Sequence, residues 1–147
     1  MTAPGESLAQ KVRAWLARHP DPDDADLAAA GWVAPQWPEP WGHAATVDDA
    51  VAVEDELLAA GVRLPDNPIG IGWAGPTILA AGTEQQKARF CSRILSGEDH
   101  WCQLFSEPDA GSDLASLRTS ATRDGDEWIV NGQKIWTTDA DSADYGI

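Results

Sequence analysis

At 147 residues the chain has room for one ordinary domain or for two small packed units that share a surface, and 43% apolar residues with eight tryptophans exclude a disordered or fibrous chain. Ten Lys and Arg against 24 Asp and Glu leave a formal charge of −14, which repels phosphate backbones and anionic lipid, so nucleic acid and membrane partners are not expected. Cys91 and Cys102 have neither CxxC spacing nor a histidine at a metal-ligand interval, which argues against a zinc site or a disulfide framework.

Residues 1–7 have no basic stretch followed by an apolar one, and no window approaches about eighteen uninterrupted apolar residues, so a cytoplasmic protein is expected. From residue 7 to 19 the apolar Leu8, Val12, Trp15 and Leu16 share one helical face, and Pro20 closes the helix. A short helix over residues 24–30 carries acids in its first turn and ends at Gly31. Residues 32–42 hold three prolines among three tryptophans, which predicts a packed loop: helical hydrogen bonds are denied while large rings need burial. Thr46 and Asp49 resemble a capping box at the start of a third helix over 47–60 that Gly61 ends, and 65–68 is a connector. Residues 69–81 are apolar almost all round and predict a helix buried on most sides, weakened by Gly70, Gly72, Gly75 and Pro76. Thr83 and Gln86 open an amphipathic helix with Phe90, Ile94 and Leu95 inward, stopping at Gly97.

The pattern then changes. Residues 101–105, 117–123, 127–130 and 133–138 are short runs separated by turn chemistry and predict strands. Asp124-Gly-Asp126 suits one hairpin turn, and Asn131-Gly132 is a type I′ signal that would join the last two strands. The fold class is therefore α+β, with a helical bundle over 1–98 followed by the start of an antiparallel β-barrel over 99–147. About four strands of a barrel would keep an open edge, so the sequence looks truncated.

The loop from Ser106 to Asp113 offers hydroxyls, a glycine and free backbone N–H groups, which suit a diphosphate or the edge of a heterocycle. Taken alone it is equally an ordinary polar turn. Its acids Glu107, Asp109 and Asp113 are out of register for an EF-hand calcium loop.

Several strings together resemble the acyl-CoA dehydrogenase family over essentially the whole chain. Phe105-Ser-Glu-Pro-Asp-Ala-Gly-Ser-Asp113 is similar to one family signature and Asn131-Gly-Gln-Lys-Ile-Trp-Thr-Thr138 to the other. Upstream, Ala30-Gly-Trp-Val-Ala-Pro35, Leu64-Pro-Asp-Asn-Pro68 and Gly82-Thr-Glu-Gln-Gln-Lys87 resemble its helical domain. The resemblance implies FAD held between the barrel and a carboxy-terminal helical domain, and an acyl-CoA substrate oxidised to 2-enoyl-CoA. It places Gln103, Leu104, Phe105 and Ser106 along the pyrimidine edge of the flavin and Gly111 and Ser112 at the diphosphate, with Ser112 also near the acyl-CoA. Trp136 would cover one side of the isoalloxazine, with Thr137 and Thr138 beside it. An aromatic side chain stabilises a flat apolar ring, and N–H or O–H donors favour the anionic reduced form. Without the accompanying loop, Trp136 would be read as a core residue of a strand.

In the family the carboxylate base lies on the carboxy-terminal helices, so no catalytic residue is assigned in this sequence. The implied partners are an electron-transferring flavoprotein and, in a homo- or hetero-oligomer, a chain supplying the carboxy-terminal helices. Two departures from the family pattern stand out: Asp109 replaces a usual glycine and adds charge near the diphosphate, and residues 138–142 lack the usual small-residue and histidine pattern. A non-catalytic partner subunit or relic that binds a related dehydrogenase is the competing reading, and an acyl-CoA oxidase is a third.

Overall fold

The computed structural model describes residues 6–147, so most of the stretch read for a leader lies outside the described residues. The chain forms two compact units, Met1–His100 and Trp101–Ile147, of α+β class taken together.

The first unit is helical. In α1 (Leu8–Leu16) the Ser7 hydroxyl accepts from the Gln10 N–H while the Ser7 N–H donates to the Gln10 side-chain oxygen, so two of the orphan donors at the helix start are satisfied. The same reciprocal box opens α2 (Asp24–Ala29) through Asp23 and Asp26. In α3 (Val47–Ala59) the box is incomplete: the Thr46 hydroxyl accepts from the Asp49 N–H and donates to the Asp49 carboxylate, which leaves that carboxylate no reach back to the backbone. Helices α1 and α3 pack on each other around the fully buried Val12 and Val53, and the Arg13 guanidinium forks onto Glu56 at the rim.

The proline-rich stretch is part of the core, with Trp32, Val33, Ala34 and Trp37 all buried. Further on, the expected helix over 69–81 divides into a π-helical turn, Gly70–Ala74, and α4 (Gly75–Ala81). It is not buried on most sides, since Gly72, Trp73, Pro76 and Thr77 are exposed; an all-round apolar sequence fixes no face, and packing chose the side carrying Gly70, Ala74 and Gly75. The Trp37 ring explains one glycine, because a Cβ on Gly75 would stand 2.0 Å from its Cη2. Gly75→Ala should therefore overpack the unit and cost about 1–3 kcal/mol, read as a lower Tm; an unchanged Tm would show that the ring yields freely.

Helix α5 (Glu84–Leu95) starts at a Thr83–Gln86 box and buries Cys91, Ile94 and Leu95 against α2 and α4, with Phe90 half-buried. Burial pushes the Cys91 thiol up to about 11, so it is an inert packing residue at neutral pH. The buried Asn67 donates to the Ile94 and Asp99 carbonyls at 3.0 and 2.9 Å, satisfying backbone acceptors at the α5 terminus. Among the described residues no helix is long and apolar enough to cross a membrane.

The second unit holds four short strands: β1 (Trp101–Cys102), β2 (Ser120–Asp124), β3 (Glu127–Asn131) and β4 (Tyr145–Gly146). The expected hairpin forms between β2 and β3, in antiparallel register from Ser120 opposite Asn131 to Asp124 opposite Glu127, with Gly125 and Asp126 as the turn. All ten of its residues are exposed, Trp128 and Val130 by 64% each. The pair β1 and β4 is parallel, unlike the antiparallel pairing expected, and Leu104 N–H to the Ile147 carbonyl at 2.7 Å prolongs it.

The strand expected over 133–138 does not form, and Asn131-Gly132 is no hairpin turn. Asn131 closes the β2–β3 ladder, while Trp136 and Asp139 adopt φ of +57° and +61°, a left-handed conformation that ends any extended run. Gly132 serves a close approach instead, since a Cβ there would lie 2.0 Å from Thr119 Oγ1. Of the first two expected strands, one ends at Cys102 instead of 105 and the other begins at Ser120 instead of 117.

Candidate functional site

The two signature segments meet inside the second unit. After β1 the chain runs through half-buried Gln103, exposed Leu104 and half-buried Phe105 and Ser106 into a tight turn, in which Glu107 and Ala110 exchange backbone hydrogen bonds of 2.7 and 3.1 Å around Pro108 and Asp109. Proline presets the first turn position, and Asp109 has no positive φ, so the turn does not require glycine there. Its carboxylate lies 3.5 Å from the Arg118 guanidinium, both largely exposed, which offsets the added charge only weakly.

Glu107 points inward from that turn and is 7% exposed. Its carboxylate accepts from the Arg118 N–H at 2.7 Å, the Thr119 N–H at 3.0 Å and Lys134 Nζ at 2.9 Å. Lys134 Nζ also donates to the Phe105 carbonyl at 3.1 Å, and the Ile135 N–H donates to the Ser106 carbonyl at 3.0 Å. Residues 105–107 and 134–135 thus lie side by side, although their sequence spacing gave no sign of it. Nothing in the sequence singles out Lys134 or pairs it with Glu107 beyond their presence in the two signature strings.

The Thr119 hydroxyl beside it, the Arg118 N–H and the Lys134 ammonium hold the Glu107 carboxyl down to about 2 from an ordinary 4.5. An unfolded chain binds this proton near 4.5 and the folded one only near 2, so the stability this carboxylate contributes is complete above that upper value and is lost as the pH falls toward the lower one. An acid titration followed by circular dichroism should show this loss in the wild type and not in Glu107→Gln; identical acid profiles would refute it.

The Ile135 N–H bond to the Ser106 carbonyl sets Trp136 one residue beyond the junction with Ser106. The Trp136 side chain is 88% exposed, so it is not a core residue of a strand. Thr137 beside it is half-buried and Thr138 is exposed at the start of the following turn. Gly111 and Ser112 are exposed on the far leg of the Pro108-Asp109 turn, and a Cβ on Gly111 would meet nothing within 4 Å. These two are not joined to Trp136 by the contacts that hold Ser106. Among the described residues no group of three His, Cys, Asp or Glu side chains could hold a metal ion.

In the first unit a cleft of about 340 Å³ lies between residues 32–36 and α3, lined by Trp32, Val47, Val51 and Leu57 with Glu54 as its one acid. It carries none of the residues that the signatures single out.

Residues 5–98 match the family Acyl-CoA dehydrogenase, N-terminal domain, and residues 102–147 the family Acyl-CoA dehydrogenase, middle domain. The chain is 50% identical over 121 residues to the acyl-CoA dehydrogenase FadE34 of Mycobacterium tuberculosis, covering 82% of this chain and 17% of that protein. It is 44% identical over 130 residues to the acyl-CoA dehydrogenase IpdE1 of the same organism, covering 88% of this chain and 32% of the relative. Among solved structures it is similar to the ChsE4-ChsE5 complex from Mycobacterium tuberculosis, with a TM-score of 0.68 and 34% identity over 99% of this chain and 43% of that one. A steroid ACAD, Tcur3481-Tcur3483, gives a TM-score of 0.67 and 32% identity over 95% and 41%. The chain thus spans between a sixth and a half of the length of these relatives.

Proposed function

This chain belongs to the acyl-CoA dehydrogenase family, and from that premise we propose that it supplies the helical domain, 1–98, and a flavin-binding β portion, 99–147, of an FAD-dependent acyl-CoA dehydrogenase. The observation that carries the reading is the Ile135 N–H bond to the Ser106 carbonyl, which joins the two signatures and leaves the exposed Trp136 one residue beyond the junction.

The residues present fit a flavin. Trp136 offers a flat exposed surface for one side of an isoalloxazine, and Thr137 and Thr138 supply hydroxyl and backbone donors next to it. Gln103, Leu104, Phe105 and Ser106 would run along the pyrimidine edge, with the Ser106 hydroxyl as a donor or acceptor. Gly111 leaves its backbone open to a diphosphate and Ser112 adds a hydroxyl for the diphosphate or the acyl-CoA. The Glu107 charge is matched by Lys134 and turned inward, so it does not repel an anionic cofactor from this face. When bound, FAD supplies the hydride acceptor for α,β-dehydrogenation. These residues bind and orient; the general base comes from outside these 147 positions.

The relatives extend the proposal. ChsE4-ChsE5 and Tcur3481-Tcur3483 carry two-component names and one is called a steroid ACAD, which supports a steroid-derived acyl-CoA as substrate and a hetero-oligomer with a partner chain. An electron-transferring flavoprotein would reoxidise the flavin. The test is the flavin-to-protein absorbance ratio after gel filtration of the chain co-expressed with such a partner. A yellow assembly with a constant ratio across the peak supports the proposal, and a colourless one overturns it.

A further inference from the structure

We propose that Glu107 and Lys134 act as a clamp that fixes the two signature segments relative to each other, and are therefore positioning residues for the surface made by Ser106 and Trp136. One carboxylate and one ammonium gather three separate stretches of chain. Glu107 takes the consecutive N–H groups of Arg118 and Thr119 and one proton of Lys134, and Lys134 spends another on the Phe105 carbonyl. The backbone bond from Ile135 N–H to the Ser106 carbonyl lies directly beside this pair. On the other side Gly132 packs against Thr119 so closely that a Cβ would collide with the hydroxyl. Three segments, at 105–107, 118–119 and 134–135, converge on one ion pair just beyond the end of the β2–β3 ladder at Ser120 and Asn131.

The two halves of the pair are unequal. With Lys134 removed, the Glu107 carboxylate still has two backbone donors; with Glu107 neutralised, one of its two oxygens no longer accepts and the ammonium, left with the Phe105 carbonyl, loses its counter-charge, and buried groups without partners are costly. Glu107→Gln keeps the size but turns an amide group toward donors that need an oxygen. Lys134→Arg keeps the charge, whereas Lys134→Met keeps most of the stem and none of the charge. The 21% exposure of the Lys134 side chain makes the lysine variants the gentler test.

Only the identity of the ligand rests on the flavin reading, and the experiment separates the two. Amide hydrogen exchange by mass spectrometry on the chain in its assembly would follow peptides covering 114–120 and 133–137. Glu107→Gln should raise exchange in both by about 10- to 100-fold, the factor carried by a lost hydrogen bond to a charged group. Lys134→Met should do so to a smaller extent in both, and Lys134→Arg should restore wild-type protection. Faster exchange confined to one of the two peptides, or an arginine variant as unprotected as the methionine one, would overturn the clamp. Should Glu107→Gln fail to fold, the comparison of Lys134→Met with Lys134→Arg decides by itself. Flavin content is read on the same samples: loosening of both segments with lost flavin supports both readings, and loosening with flavin retained keeps the clamp while removing its tie to the cofactor.

Discussion

A protein consisting of these 147 residues alone is expected to show no steady oxidation of any acyl-CoA. Removing a proton from the α carbon of a thioester needs a base whose pKa lies near the working pH and whose oxygen can reach the substrate. The buried carboxylate of the second unit, Glu107, fails both requirements: it is held near 2, and its oxygens are occupied by Arg118, Thr119 and Lys134. A carboxylate locked in an ion pair is a weak base because protonation would take the counter-charge from the ammonium and end acceptance at one oxygen. General-base catalysis contributes about 10²- to 10⁴-fold, so the rate should fall by at least that factor relative to an assembly that includes the carboxy-terminal helices. The assay uses saturating FAD, a panel of acyl-CoAs including steroid-derived ones, and an artificial electron acceptor. Turnover above the protein-free rate would mean that a base exists within these residues.

Replacing Trp136 by Ala in the co-expressed assembly should lower flavin occupancy without lowering the melting temperature of the apoprotein. The separation of the two effects follows from exposure: a side chain 88% exposed contributes little burial to the fold, yet an aromatic face lost from a heterocycle costs roughly 1 to 3 kcal/mol by alanine substitution. The flavin Kd should therefore rise by a factor of about 5 to 150. Asp109→Gly serves as the comparison, since the exposed Asp109 pairs with Arg118 at 3.5 Å and its removal should leave occupancy unchanged or raise it slightly. If Trp136→Ala keeps its flavin, the ring faces something else and the placement of the cofactor is wrong. If its apoprotein melts early, the ring belongs to packing between chains.

The sequence by itself determined four of the helices, those outside 69–81, and roughly where they end. Capping is a local matter of residues three apart, so Thr83 with Gln86 could be read directly and is found making the expected bonds. The hairpin at Asp124 to Asp126 was legible for the same reason. The signature strings likewise identified the family from residue identity alone.

Tertiary structure decided what depended on distant partners. A β run states that a segment suits extension and not what it will pair with, which is why 133–138 was expected as a strand. The contacts of Lys134 and Ile135 with 105–107 drew it off the hairpin, and Trp136 turned left-handed. The apolar run over 69–81 could not name its buried face until Trp37 lay against Gly75. Above all, Glu107 and Lys134 are 27 residues apart, and a charge pair at that separation has no periodicity to betray it. Only the fold brings its two ends within 2.9 Å, because an ion pair between remote segments is specified by the positions of the backbones and not by the order of the residues.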